Sequence, residues 1–446
     1  GTLTKNTGTG TLTLSNANTY TGNTTISAGV VAISNNTALG DDGSSRGSTT
    51  VASGAAVHVS GASLSIAEPF TISGTGITST GAIRNLDATG TNNNTITGAI
   101  TLGATASVGS DVDTLTFDVS GTGTSFTAAA ATSYGLTFVG AGNVTVSDAI
   151  VDPITTLTKQ GAGTLTMSAA NTYTGATTIS AGTLNATNNK ALGDNDTTRS
   201  DTTVANGATL LVSGGLSGLT DPIFLNGPGV GSNGSLRVQG TNTLSGLVTL
   251  STSSEIGADS GATLTLAGGV SGTNVDVTFD GAGNILASGA ISLGTGGVTK
   301  QGAGVTTLSS ASNAYTGATT ITLGELKLSG SGSIPDTSAV SVTGTFNMDS
   351  VLDTVGSITG AGTISLGSAT LTSGSAGTTS FSGAITGTGN IIKTGSATTL
   401  TLSGTNTYSG TTTIAADGGN LTVSGTLGTS SSYAGNVVIT SSTSTF

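Results

Sequence analysis

Few residues of this 446-residue chain can do chemistry, because it has one histidine, no cysteine and no tryptophan. The histidine, His58, would need a carboxylate or hydroxyl partner to act as a catalytic base. The corresponding position of a later repeat, 153 residues further on (58 to 211), holds Leu211. We therefore interpret His58 as an ordinary strand or surface residue, and we predict no catalytic residues.

Acidic residues in glycine-flanked loops are the candidate metal ligands, since hard cations such as Ca²⁺ prefer clustered oxygen atoms. They are Asp41, Asp42, Asp194 and Asp196. The sequence lacks the Gly-Gly-x-Gly-x-Asp repeat that builds calcium-binding rolls. We favour solvated turn residues here and predict no metal and no cofactor, with calcium at these loops as the alternative.

Four other acids stand apart from these loops: Asp111, Asp113, Glu255 and Asp259. Glycoside hydrolases need two carboxyl groups that converge on one bond. Nothing in the spacing of these acids brings them together, so we predict solvated loop positions for all four. A polysaccharide-acting β-helix enzyme is therefore the weakest function considered.

The sequence contains four copies of one stretch, and these copies determine where the residues above lie. The clearest copy, residues 157–184, reads LTKQGAGTLTMSAANTYTGATTISAGTL. Each copy has a hallmark lysine, tyrosine and glycine: Lys5, Tyr20 and Gly22; Lys159, Tyr173 and Gly175; Lys300, Tyr315 and Gly317; Lys393, Tyr408 and Gly410. Internal repetition of this kind indicates a repeat architecture.

Within each copy, apolar residues alternate with Thr or Ser, as in Thr164-Leu165-Thr166-Met167. A period of two is typical of a half-buried strand. Gly and Asn lie between the alternating runs and supply the positive φ angles that tight corners need. Each copy therefore predicts short strands joined by sharp corners.

The hallmark lysines precede glycine-rich corners, which predicts a structural contact with Asn side chains or backbone carbonyls of the next coil. An isopeptide bond to an Asn is the alternative, but that chemistry needs a buried acid and no Glu accompanies the motif. The hallmark tyrosines are predicted to cap a coil edge or shield the core rather than to bind sugar.

The repeated pattern resembles the autotransporter-associated β-strand repeat, which occurs in the passenger regions of large bacterial surface proteins. All four copies fit it, and the sequence between them has the same character. The resemblance implies an extracellular or cell-surface location after secretion across the outer membrane. It also implies a right-handed coil, as in known relatives.

These features predict an all-β fold, a single-chain parallel β-helix (β-solenoid) with no helices of note. If each coil uses about 20 to 25 residues and rises by ~4.8 Å, the chain makes roughly 18 to 22 coils. Inward aliphatic residues would form the core, and outward Thr and Ser would face water.

The repeats divide the predicted solenoid into four segments of one continuous rod: super-repeat 1 at 1–156, super-repeat 2 at 157–297, a shortened super-repeat 3 at 298–390, and a partial super-repeat 4 at 391–446. The ends resemble internal positions, since Thr443-Ser-Thr-Phe446 is similar to Thr378-Thr-Ser-Phe381. We therefore expect either end-to-end stacking of copies or a longer parent chain, with secretion and anchoring parts outside this segment.

Composition excludes several partners. A net charge of −12 and a pI near 4.1 argue against nucleic acid, which needs clustered Lys and Arg. No apolar run reaches the ~18 residues of a membrane helix, so no membrane contact is predicted within this segment. Ice binding would need an outward Thr on every coil, whereas Thr, Ser, Gly and Asn mix along the sequence.

The leading functional interpretation is a non-catalytic structural or adhesive stalk of an autotransporter-like bacterial surface protein. Its expected partners are copies of itself, surface glycans, and host or neighbouring cells. The second interpretation is a subunit of a self-assembling extracellular fibre or sheath.

Overall fold

The computed structural model describes residues 1–41, 43, 46–86, 93–119, 121, 123–129, 133–194, 201–428 and 435–440. These residues form an all-β parallel solenoid of about 20 turns, which confirms the predicted fold class. The only helical segments among them are two single 3-10 turns, η1 (Ile77–Ser79) and η2 (Val230–Ser232). None of the described helices is long and apolar enough to span a membrane.

The chain forms two compact units, Gly1–Ile223 and Phe224–Phe446, called unit 1 and unit 2 below. The division into four super-repeats stays a prediction.

The strands that begin in unit 1 are β1 (Leu3–Lys5), β2 (Thr11–Leu14), β3 (Thr24–Ile26), β4 (Gly29–Ile33), β5 (Thr49–Val51), β6 (Ala55–Val59), β7 (Ser65–Ile66), β8 (Phe70–Gly74), β9 (Ile83–Asn85), β10 (Asn94–Ile96), β11 (Ile100–Ser110), β12 (Thr114–Phe117), β13 (Thr124–Ala128), β14 (Tyr134–Val139), β15 (Asn143–Val146), β16 (Ala149–Ile150), β17 (Ile154–Lys159), β18 (Thr164–Met167), β19 (Ala176–Ile179), β20 (Gly182–Ala186), β21 (Thr202–Val204), β22 (Ala208–Val212) and β23 (Ile223–Gly227).

The strands of unit 2 are β24 (Leu236–Val238), β25 (Thr241–Leu244), β26 (Val248–Ala258), β27 (Thr263–Leu266), β28 (Val270–Gly272), β29 (Val277–Gly281), β30 (Asn284–Ala287), β31 (Ile291–Gly294), β32 (Val298–Lys300), β33 (Val305–Leu308), β34 (Ala314–Tyr315), β35 (Thr319–Ile321), β36 (Glu325–Leu328), β37 (Ala339–Val342), β38 (Thr345–Asn347), β39 (Asp353–Val355), β40 (Ser357–Gly360), β41 (Thr363–Ser365), β42 (Thr370–Ser373), β43 (Thr379–Phe381), β44 (Ala384–Thr386), β45 (Asn390–Lys393), β46 (Thr399–Leu402), β47 (Thr405–Asn406), β48 (Thr412–Ile414), β49 (Asn420–Val423), β50 (Thr426–Leu427) and β51 (Val437–Ile439).

Each strand pairs in parallel with the equivalent strand of the next coil. In unit 1, β15 pairs with β18 and β18 with β20. In unit 2, one wall of the solenoid is an eight-stranded sheet in the order β25-β27-β30-β33-β36-β38-β41-β44. Stacking of this kind places chemically similar residues of successive coils directly above one another.

The core consists of inward columns of aliphatic and aromatic side chains. One column of unit 1 stacks Val144, Leu165, Leu184 and Leu210, each at most 3% exposed. Burial of such a side chain stabilises the fold by about 1.5–3 kcal/mol. The alternation seen in the sequence therefore corresponds to the inward and outward faces of real strands.

The outward face of unit 1 has a column of threonine on six consecutive coils. Its members are Thr4, Thr25, Thr50, Thr71, Thr101 and Thr127. The expectation that Thr mixes with other residues at outward positions is wrong for this column. Two residues further along these strands lie Ser27, Ala52, Ser73 and Gly103, so the threonines form a single row rather than a two-dimensional array.

Candidate functional site

The repeated asparagine of each hallmark copy joins three successive coils. Asn171 is 1% exposed, and its Oδ1 accepts a hydrogen bond from the backbone N–H of Ile150 at 2.8 Å. Its Nδ2 donates to the carbonyl of Ala191 at 2.6 Å. One side chain therefore satisfies a buried donor on the preceding coil and a buried acceptor on the following coil.

Asn313 and Asn406 make both contacts, and Asn18 in the first copy makes the donated one. Asn313 accepts from Ile291 and donates to Ser333, Asn406 accepts from Ile385 and donates to Thr426, and Asn18 donates to Ala38. The hallmark set chosen from the sequence missed this asparagine. Its recurrence at the same place in all four copies was the signal that could have identified it.

The ammonium group of each hallmark lysine donates hydrogen bonds to backbone carbonyl groups at the corners of the coils. Lys159 is 3% exposed, and its Nζ donates to the carbonyls of Gly161 at 2.7 Å and Ala181 at 3.2 Å. Ala181 belongs to the next coil, so the ammonium joins two corners. Lys5, in the first coil, bonds the carbonyls of Thr7 and Gly8 and is partly exposed.

Two further lysines sit in the same kind of carbonyl cage. Lys300 donates to Gln301 and Gly302 at 2.6 Å each and to Leu323 at 3.4 Å. Lys393 donates to Thr398 Oγ1 and to the carbonyl of Gly418, both at 2.8 Å. Burial lowers the pKa of Lys159 and Lys300 to about 8 and also lowers the pKa of Lys393. The carbonyl oxygens oppose this effect because they favour the charged ammonium.

Three hallmark tyrosines, Tyr173, Tyr315 and Tyr408, are buried in the core, and Tyr20 in the first copy is half-buried. Tyr173 is fully buried, and its hydroxyl hydrogen-bonds Thr177 Oγ1 at 2.8 Å. Equivalent pairs join Tyr20 to Thr24, Tyr315 to Thr319, and Tyr408 to Thr412. Burial raises the pKa of Tyr20 and of Tyr315. No face of Tyr173 is free to stack against a sugar.

Carboxyl side chains are buried beside the threonine hydroxyl groups of the following coils. Thr24 pairs with Thr49 in register, and Thr49 Oγ1 donates to Glu68 Oε1 at 2.6 Å. The residue that corresponds to Glu68 after 153 positions (68 to 221) is Asp221, which is also buried. Burial raises the pKa of Glu68 to about 7.

The hallmark glycines allow two coils to approach closely. A Cβ on Gly175 would lie 1.3 Å from the carbonyl oxygen of Thr155, and one on Gly317 would lie 2.4 Å from that of Gly296. Gly22 and Gly410 would each place a Cβ 2.2 Å from a carbonyl oxygen of the preceding coil. These positions tolerate only a hydrogen atom. We call the lysine, tyrosine, asparagine and glycine of each copy the coil clamp.

The structure does not give His58 the partners of a catalytic base. In register it lies beside Arg84, and its Nε2 is buried without a hydrogen-bond partner. Burial and the nearby Arg84 lower the pKa of His58. Arg84 itself pairs with Asp111. The three residues therefore form a stack on a strand face and not a catalytic triad.

The candidate calcium ligands do not come together in the part of the chain that the structure describes. Asp41 Oδ1 accepts from the N–H of Gly43 at 3.1 Å, and Asp194 pairs with Lys190 at 3.1 Å. Asp42 and Asp196 lie outside the described residues. Among the described residues, no group of three or more His, Cys, Asp or Glu side chains could hold a metal ion.

Three of the scattered acids, Asp111, Asp259 and Glu255, are ion-paired or buried rather than freely solvated. Asp259 pairs with Arg237 through contacts of 2.6 and 2.9 Å, the counterpart of the Arg84–Asp111 pair. Glu255 lies within β26 and is 7% exposed, and its burial, followed by the charge of Asp280, raises its pKa to about 7. The loop prediction is wrong for Glu255 because residues distant in sequence cover its strand face.

Comparison with known proteins identifies the repeated stretch. Neither the curated proteins nor the solved structures contain a match to this chain. The family model described as the passenger-associated-transport-repeat matches at residues 3–33, 157–186, 298–328 and 391–423. These are the four segments that contain the coil clamps. The four copies therefore match the passenger-associated-transport-repeat, in agreement with the autotransporter passenger repeat that the sequence pattern resembles.

Proposed function

We propose that this chain is a non-catalytic, extracellular stalk of an autotransporter-like surface protein, and that its outward faces make adhesive contacts with surface glycans or cells. The repeat family and the solenoid fold support a passenger-like stalk. The observation that carries the proposal is the coil clamp. Its polar side chains form hydrogen bonds within the chain, as Asn171 does to the preceding and following coils, and these bonds make the solenoid more rigid.

The outward threonine column supplies the surface for the adhesive part of the proposal. Thr4 and Thr50 are exposed, and hydroxyl groups can both donate and accept hydrogen bonds to sugars. The net charge of −12 favours neutral or cationic surfaces over acidic ones. An uncharged glycan is the ligand that matches both features.

The adhesive part is tested by binding of the folded chain to immobilised glycans and to cells. We expect saturable binding that is lost in the doubly substituted variant Thr50→Lys, Thr71→Lys, whose changes lie on the outward column. A matched control, the doubly substituted variant Thr145→Lys, Thr166→Lys, places the same two charges on a different outward column and should bind normally. Equal loss in the control, or no binding by the folded wild type, would contradict adhesion by this face.

The non-catalytic part is tested on the same glycans. We expect no release of reducing ends during prolonged incubation with the folded chain. Turnover of any glycan would instead support the polysaccharide-acting alternative. Surface location is tested by antibody labelling of intact source cells, where labelling only after permeabilisation would contradict it.

The second candidate function is assembly into a fibre or sheath, and β51 is the observation that favours it. Val437, Val438 and Ile439 are 36%, 40% and 47% exposed on this strand, which pairs with β48. A further coil would cover this apolar strand, whether it came from a longer polypeptide or from a second copy. The segment Thr443–Phe446, whose sequence suggests stacking, lies outside the described residues.

Light scattering and electron microscopy of the purified chain test assembly. Filaments that shorten in Val438→Lys would support stacking through β51. A discrete monomer at micromolar concentration would contradict stacking of separate copies.

A further inference from the structure

Three asparagines of the chain directly precede a glycine: Asn206, Asn226 and Asn233. In such a pair the backbone nitrogen of the glycine can attack the side-chain carbon Cγ of the asparagine, because glycine has no Cβ to hinder the approach. The positions 153 residues earlier hold serine or threonine, again followed by glycine: Ser53, Ser73 and Thr80. The earlier copy therefore has the same glycines without the reactive side chain.

Asn206 and Gly207 form the exposed tip of the turn between β21 and β22. One hydrogen bond closes this turn, from the N–H of Ala208 to the carbonyl of Ala205 at 3.0 Å. No described residue accepts a hydrogen bond from the N–H of Gly207, and a Cβ placed on Gly207 would have no atom within 4 Å. The nitrogen next to Asn206 is therefore open to solvent.

The glycine nitrogens that follow the other two asparagines are engaged. The N–H of Gly227 donates to Thr252 Oγ1 at 3.1 Å, and the N–H of Gly234 donates to the carbonyl of Pro228 at 3.0 Å. Both glycines are buried. Either nitrogen could attack an asparagine only after a hydrogen bond breaks and the local fold opens.

The side chain of Asn233 is held in place as well. Its Nδ2 donates to the carbonyls of Gly231 at 3.1 Å and Val230 at 3.4 Å. A Cβ on Gly234 would lie 2.6 Å from the carbonyl oxygen of Leu236, so the backbone beside Asn233 is closely packed. Rotation of the Asn233 side chain towards the Gly234 nitrogen is therefore hindered.

We propose that Asn206 is a site of spontaneous deamidation in the folded protein, and that Asn226 and Asn233 are protected from the same reaction. The nitrogen of Gly207 forms a bond to Cγ of Asn206 and loses its proton, while the bond from Cγ to Nδ2 breaks and ammonia leaves. The resulting five-membered succinimide ring then takes up one water, which opens either of its two carbonyl groups. The products are aspartate and isoaspartate, and water is the only co-reactant.

The reaction changes the turn in two ways. Either product carries a carboxylate in place of a neutral amide, which adds one negative charge to the net charge of −12. Isoaspartate also lengthens the main chain by one carbon atom at the tip. Because β21 and β22 are each paired in register with the preceding coil, the strands keep their places while the exposed tip changes. The surface therefore gains charge as the molecule ages.

Peptide mapping by mass spectrometry tests the proposal on the purified, folded chain during prolonged incubation near neutral pH. We expect deamidation at Asn206 to be on the order of tenfold or more faster than at Asn226 or Asn233, since the latter two react only through local opening. In enough urea to unfold the chain, the three sites should react at similar rates. Similar rates in the folded chain, or the slowest reaction at Asn206, would overturn the proposal.

Two observations identify the ring chemistry. Both aspartate and isoaspartate should appear at position 206, because water can open the ring on either side; aspartate alone would indicate direct hydrolysis and overturn the attack by Gly207. Asn206→Gln keeps an amide at the same exposed tip but would need a larger ring, so we expect no modification over the same period. Deamidation of Asn206→Gln at the wild-type rate would also overturn the attack.

A second variant tests the protection of Asn226. Thr252→Val removes the acceptor of the Gly227 N–H and keeps a branched side chain, so deamidation at Asn226 should become severalfold faster while the rate at Asn206 stays the same. The matched control, Thr249→Val on the same strand, leaves that hydrogen bond intact and should change neither rate. An unchanged rate at Asn226 in Thr252→Val would overturn the protection assigned to the hydrogen bond.

Discussion

Two equivalent coils, one in each unit, share their inward residues and differ in their outward ones. In unit 1 the inward Phe138 pairs with Lys159, and in unit 2 Phe279 pairs with Lys300. The outward neighbours are Val139 in the first case and Asp280 in the second. Close packing restricts changes inside the solenoid, whereas the outward face tolerates them. The comparison separates a shared scaffold from surface chemistry particular to each copy.

The largest expected effect comes from adding one carbon atom to the shared scaffold. In Gly175→Ala, the new Cβ would lie 1.3 Å from the Thr155 carbonyl oxygen, so two coils must separate. We expect a loss of about 3 to 5 kcal/mol in the free energy of unfolding, measured by urea titration. Gly317→Ala in unit 2 should behave alike. The control Gly218→Ala, with no atom within 4 Å of its Cβ, should change stability little, and a mild Gly175→Ala would contradict the close approach.

The next effect comes from cutting the link between three coils. Asn171→Ala leaves the N–H of Ile150 and the carbonyl of Ala191 unpaired in a buried site, which costs about 1–3 kcal/mol for each group. The two groups together give about 2 to 6 kcal/mol, and we expect a loss in the lower half of that range by the same titration, because the site can partly collapse around the shorter side chain. Asn18→Ala, at a half-exposed copy of the position, should cost less. Equal losses at the two sites would mean that burial is not the cause.

A third test compares the pH dependence of the two lysine cages. The folded-state pKa of Lys300 is about 8, below its ordinary value of 10.5, so between these values the unfolded chain binds more protons. The contribution of Lys300 to the free energy of unfolding therefore increases as the pH rises from about 8 to about 10.5. Lys300→Met and Lys159→Met should each reduce this slope in thermal melts recorded across that range. A slope that neither variant changes would contradict the prediction.

The smallest effect comes from exchanging a residue that differs between the copies. His58→Leu installs the residue found at the equivalent position, Leu211, and removes a buried Nε2 that has no partner. We expect a gain of about 0.5 to 1 kcal/mol in the free energy of unfolding. A loss of stability would show that the imidazole makes a stabilising contact at this position.

The sequence predicted the shared scaffold well because the scaffold obeys local rules. Alternation alone places Ile179 inward, and the side chain is fully buried. The recurrence of Lys159 before a glycine corner predicts a carbonyl contact, and its Nζ makes one. These inferences use residues that are adjacent in the chain or in the next coil.

The outward features were missed because coil length varies. The threonine column steps from Thr4 to Thr25, Thr50, Thr71 and Thr101, at intervals of 21, 25, 21 and 30 residues. No fixed period in the sequence reveals such a column. Glu255 is buried beside a loop whose Ser235 donates to the Glu255 carbonyl, and the position of that loop follows from folding and not from the alternation of nearby residues.

The bonds of Asn171 to both neighbouring coils have a mechanical consequence. A solenoid pulled from one end peels coil by coil, so each step breaks one row of strand hydrogen bonds. At a clamp coil, the same step must also break buried side-chain bonds to Ile150 or Ala191. Peeling under load would therefore pause at each hallmark copy, so the repeats would resist unravelling of the proposed stalk under mechanical load.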